Sequence, residues 1–242
     1  MVGGGPRTGG GIPLDETVKQ LVLLGQKLSG EICIAKIERQ LQSDDIDDRL
    51  DSALFTMSHL FFSGAVAEEV IAQSLRSNSF PDSIKAYPEL TCIDEIATLE
   101  AWKGSSFGRE RNLIGAMSFL VVLMFLFEGF VKLVAERTGE GKLLENASDV
   151  KDWVGRNVKK ILPPGHLKGI NFLNEYRNAW HAFGRYGRGK SEKKKFVRWD
   201  NLTLESGKRI PVPNAQQRLR LLAIIVETVI EVNKMRRVSI ES

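Results

Sequence analysis

Residues 113–127 read LIGAMSFLVVLMFLF, fifteen positions without a charge, followed at once by Glu128, Lys132 and Glu136. That is short of the roughly 20 apolar residues that cross a bilayer comfortably, so no membrane association is expected from it. A helix apolar on nearly every side must be covered by other elements. The cover is either the middle of a helical bundle or an interface between two copies of the chain. An interface accounts for the part that a chain of 242 residues has little room to hide.

Working outward, the periodicity is mostly helical. Val18, Leu21, Val22, Leu24 and Leu28 recur at helical spacing. Gly30 reads as a stop, with a second short segment from Glu31 to about Leu41. Ser43 reads as an N-cap for a long helix carrying Leu50, Leu54, Met57, Leu60 and Phe61. Its opening carboxylates Asp44, Asp45, Asp47 and Asp48 suit the positive end of a helix dipole, with metal ligation as the alternative. Residues 78–108, richer in Pro, Ser and Gly, read as connecting structure. Residues 148–162 form an amphipathic helix ended by Pro163, Pro164 and Gly165, and another helix is expected from about Ile170 to Phe183. The segment FVRWDNLTLESGKRIPV reads as a hairpin turning at Ser206-Gly207. Asn214 with Gln217 makes a capping box for a last helix whose face carries Leu219, Leu222, Ile225, Val226, Val229 and Val232. No βαβ alternation is present, which argues against a doubly wound nucleotide fold. The expectation is an all-α helical bundle with a small β-hairpin insertion before the last helix.

Composition narrows the class. An apolar fraction of 43% is enough to bury a core, which excludes disorder of the whole chain. Cys33 and Cys92 are far apart and form no CxxC pattern, so a disulfide framework is excluded and a reducing, cytoplasmic compartment is expected. The opening MVGGGPRTGGGIP has no apolar stretch of signal-peptide length and lacks the Lys-Ser/Thr pair of a phosphate-binding P-loop. Three regions follow: a flexible lead over residues 1–13, an N-terminal helical region over 14–100 and a helical bundle over 101–242.

The charge is concentrated. Between Arg177 and Arg198 there are eight basic residues and one acid, Glu192, a local +7 against +4 for the whole chain. This stretch therefore holds the entire positive excess. Arg185, Arg188, Lys190, Lys193, Lys194, Lys195 and Arg198 are candidate RNA contacts, as is Tyr186. Phe196 and Trp199 stand beside them, and rings next to cations suit stacking on unpaired bases. A solvated loop is the plainer alternative.

Of three histidines, His59 on an apolar-periodic helix and His166 in the turn PPGHLKG read as structural. His181 has different company, in NEYRNAWHAFGRYGRG. Arg177 lies four residues before it, so on a helix the guanidinium and imidazole share a face. The pairing suits a phosphodiester: a guanidinium grips two phosphate oxygens, and an imidazole moves protons near neutral pH. Asn178 adds a neutral hydrogen-bonding group. No metal or other cofactor is needed by such a pair.

At these residues the chain resembles the HEPN superfamily of small helical-bundle proteins, whose members carry an Arg, often followed by Asn, and then a His. The resemblance covers about Ser106 to Arg237. It departs in spacing, with three residues between Arg177 and His181 where the family usually has four to six. The resemblance implies a metal-independent endoribonuclease that works as a homodimer, in which Arg177, Asn178 and His181 are catalytic. It also implies 2′,3′-cyclic phosphate and 5′-hydroxyl products, a role as a toxin or anti-phage effector, and an antitoxin or defence-complex partner. The alternative is a non-catalytic module that binds RNA, a nucleotide or a partner protein.

Overall fold

The computed structural model describes residues 14–38, 45–77, 106–140, 144–181 and 196–238. In chain order these form α1 (Leu14–Glu38), α2 (Asp45–Ser77), α3 (Ser106–Arg137), α4 (Ala147–Asn157), α5 (His166–His181), β1 (Phe196–Trp199), β2 (Leu202–Glu205) and α6 (Ala215–Val238). The architecture is a helical bundle with a two-stranded antiparallel hairpin before the last helix. The Gly-Pro lead of residues 1–13, the N-cap assigned to Ser43, and most of the connecting stretch 78–108 (up to residue 105) lie outside the described residues.

Helix α3 touches α2, α4, α5 and α6, while α1 packs on α2 and α6. A single apolar core joins Leu21, Leu24 and Leu28 of α1 to Leu50, Leu54, Met57 and Phe61 of α2. It continues through Phe127 and Phe130 of α3, Trp153 of α4, Phe172 of α5 and Val226 to Val232 of α6. Burying each such side chain contributes about 2 kcal/mol, so the core rather than helix propensity holds the bundle.

Two local signals hold to the atom. Asn214 and Gln217 close a reciprocal capping box, with Gln217 N donating to Asn214 Oδ1 at 2.9 Å and Asn214 N donating to Gln217 Oε1 at 3.0 Å. On α6, Leu222, Ile225, Val226, Val229 and Val232 are buried and Leu219 is partly so.

Three local signals are overridden. Helix α1 runs through Gly30 instead of stopping there. A glycine inside a helix costs about 1 kcal/mol. Next to it, buried Glu31 accepts a hydrogen bond from Asn233 Nδ2 of α6 at 2.9 Å, which holds the chain helical past that point. Helix α4 ends at Asn157, short of residue 162, and its start is set by a capping box between Asn146 and Asp149. The hairpin turns at Asp200-Asn201, not at Ser206-Gly207, with Trp199 opposite Leu202. Asp200 takes a left-handed φ of 51°, which Asp tolerates better than most residues. Its carboxylate accepts from Arg220 Nη1 of α6 at 3.1 Å.

Among its described side chains, from Ser118 to Phe127, the apolar stretch in α3 packs into the core and leaves an open strip. Leu120, Val121, Leu123, Met124 and Phe127 are buried, whereas Val122 and Phe125 are 44% and 46% exposed. Ser118–Arg137 is long and apolar enough to cross a membrane by composition alone, but half of it is buried against other parts of the bundle.

Candidate functional site at the C-terminal end of α5

Pro163 and Pro164 keep the chain after α4 from continuing as helix. Gly165 then turns it with φ of 93°, and α5 begins at His166. Ile170, Phe172, Leu173, Tyr176 and Ala179 bury one side of α5. The helix runs unbroken to His181, so Arg177 and His181 stand one turn apart on a continuous helix. The side chain of His181 lies outside the described residues, as do Arg185, Tyr186, Arg188, Lys190, Lys193, Lys194 and Lys195.

Arg177 is held from two sides. Its Nη1 donates to Glu128 Oε2 of α3 at 2.9 Å, and its Nη2 donates to Asn178 Oδ1 at 3.1 Å. The guanidinium carbon stands 5.2 Å from the centre of the Phe125 ring, within cation–π range. The side chains of Arg177 and Glu128 are only 12% and 11% exposed. A charge pair so far out of water is costly to break, because the survivor is left without its counter-ion. Two of the five guanidinium hydrogens are engaged, one on each terminal nitrogen is left over, and the Nε hydrogen is buried without a partner. Asn178, exposed, accepts from Arg177 through its oxygen, so its amide nitrogen remains a donor.

Glu128 and Phe125 were not singled out from sequence, although a signal existed. Val121, Met124 and Glu128 recur at helical spacing, and the first two are buried. A carboxylate continuing a buried stripe must find a cation. Which cation, 49 residues away, only the packing of α5 on α3 decides.

The remaining candidates have other surroundings. His166 Nε2 stands 2.7 Å from Glu227 Oε2, joining the start of α5 to α6. His59 is exposed and stacks on Phe55, with ring centres 4.0 Å apart. Asp47, 1% exposed, approaches Arg137 Nη2 at 4.0 Å, and Asp45 approaches Arg49 at 3.9 Å. Among the described residues, no group of three or more His, Cys, Asp or Glu side chains could hold a metal ion. Next to Arg177, burial pushes the Tyr176 hydroxyl far above its ordinary range, with Arg218 pulling the other way. Burial therefore favours the neutral phenol at Tyr176.

Arg198 lies away from this constellation. It stands on β1, exposed, in register with Thr203, and lines an open cleft of about 600 Å³ with Gly165, Lys168, Asn171, Phe196 and Asp200. Comparison with known proteins finds no family model that matches the chain, no similar curated protein and no similar solved structure.

Proposed function

We propose that the protein is a cytoplasmic, metal-independent endoribonuclease of the HEPN kind, acting as a toxin or defence effector. The observation that supports this best is the anchored Arg177. Glu128 and Asn178 fix the plane of its guanidinium one helical turn from His181. A cation already oriented loses little freedom when charge develops on a phosphorane-like transition state, which is where such a group contributes most.

In this reading the RNA 2′-hydroxyl attacks the adjacent phosphorus and the 5′-oxygen leaves. His181 of one subunit accepts the hydroxyl proton, and His181 of a second copy supplies a proton to the departing oxygen. Arg177 neutralises the phosphoryl oxygens and Asn178 donates to one of them. The strip of Val122 and Phe125 is the natural dimer contact, since both side chains are exposed and the Phe125 ring lies against Arg177. An antitoxin or defence-complex partner would hold the activity in check.

Incubation with total RNA in EDTA tests the reading. Wild-type protein is expected to produce 5′-hydroxyl ends, and His181→Ala is expected to lose at least about 100-fold in rate. Cleavage that EDTA abolishes and His181→Ala leaves untouched overturns it.

A second reading has its own observation. The short, sheltered Arg177–Glu128 contact also suits a purely structural ion pair, in a module that binds RNA or a nucleotide without cutting it. Salt-sensitive RNA binding without product favours that reading.

A further inference from the structure

The open cleft lies between the first turns of α5 and strand β1. Alternation along β1 puts Phe196 and Arg198 on one face, and both are exposed. Phe196 is 64% exposed, the most open phenyl ring among the described residues, ahead of Phe55 and Phe125. Exposed Lys168 and half-buried Asn171 line the same cleft from α5. Among the described residues, no carboxylate pairs with Lys168 or Arg198. Asp200 also lines the cleft, but it is bonded to Arg220. The cleft therefore carries two open cations, an exposed ring and an amide, in a volume suited to one nucleotide unit.

We propose that this cleft binds one nucleotide of single-stranded RNA, its phosphate held by Lys168 and Arg198 and its base stacked on Phe196. Asn171 donates to or accepts from the base or sugar. The inference rests on RNA being the ligand, as proposed above, and adds a second contact point to the site at the other end of α5. Asn171 and Asn178 are seven residues apart, on the same face of the helix and about 10 Å along it. A strand seated in the cleft then runs along α5 toward Arg177 and His181. The cleft would fix which phosphodiester reaches them, making it a determinant of substrate position.

The test is fluorescence anisotropy with a 5′-labelled 2′-O-methyl octaribonucleotide, read at several salt concentrations. Its blocked 2′-oxygens prevent cleavage, so binding is read independently of any nuclease activity. Phe196→Ala is expected to weaken binding about tenfold by loss of stacking. Lys168→Ala with Arg198→Ala is expected to weaken it at least as much, and to lower the salt slope by about 0.7 for each lost phosphate contact. Wild-type affinity in all these variants overturns the proposal, whether or not the protein cuts RNA. So does 5′-AMP competing as well as the unlabelled octamer, since that marks a free-nucleotide pocket. Absence of cleavage with these binding losses intact overturns the nuclease reading alone.

Discussion

The two ends of α5 treat their cations in opposite ways. At the C-terminal end Arg177 is 12% exposed and committed to Glu128, Asn178 and the Phe125 ring. At the N-terminal end Lys168 is exposed and lines the cleft that Arg198 also lines, and no carboxylate among the described residues neutralises either. Burial explains the contrast. A charge drawn into the junction of α3 and α5 must be paired or it destabilises the fold. A charge left in water has no such obligation and can meet a ligand instead. Arg177 is thus a positioned group with little freedom, whereas Lys168 and Arg198 are solvated side chains.

The sharpest way to break this comparison is Arg177→Ala. It strands Glu128 at the helix junction and is expected to cost about 3 kcal/mol in urea unfolding. The paired change Arg177→Met with Glu128→Leu should restore most of that stability without restoring RNA cleavage. Wild-type stability in Arg177→Ala would show that the pair is loose and the contrast between the two ends unfounded.

Gly169→Ala probes the other end through its packing. An added methyl would stand 2.6 Å from Ile224 Cδ1 and 3.2 Å from Trp199 Nε1. The expected cost is about 1–2 kcal/mol, because crowding exceeds the gain in helix propensity. Weaker octamer binding should accompany it, since α5 and β1 form the two walls of the cleft. Thermal unfolding beside anisotropy separates the two effects.

Lys168→Ala is expected to change stability by less than about 0.5 kcal/mol, as for an exposed side chain without a partner. Its effect should show only in binding and in the salt slope. A stability loss comparable to that of Arg177→Ala would place Lys168 in the structural framework and remove the difference between the ends.

The legibility of the site in the sequence follows the same division. Arg177, Asn178 and His181 stand out in the sequence as candidates through the conjunction of Arg-Asn, a histidine near a helix end and the basic stretch after it, all of it local. Glu128 and Phe125 could not be assigned to them, since their contact depends on how α3 crosses α5. Phe196 and Arg198 are legible in the sequence as aromatic and basic neighbours. Lys168 and Asn171 are not, because nothing local to PPGHLKGIN says that a strand 28 residues on will face it.

By itself, the sequence determined whatever depends on short-range chemistry. That includes the helical faces carried by Leu50, Leu54 and Met57 and by Ile225, Val229 and Val232. It also includes the Asn214–Gln217 cap and the existence of a hairpin after the basic stretch. Tertiary structure alone decided that α1 continues through Gly30, that the hairpin turns at Asp200, and that α3 keeps Val122 and Phe125 at the surface. Asn233 lies 202 residues from Glu31 beside Gly30, and Arg220 lies 20 residues from Asp200 at the turn. A local preference is worth about 1 kcal/mol, and a buried contact between distant helices can exceed it. Where the two compete, packing decides.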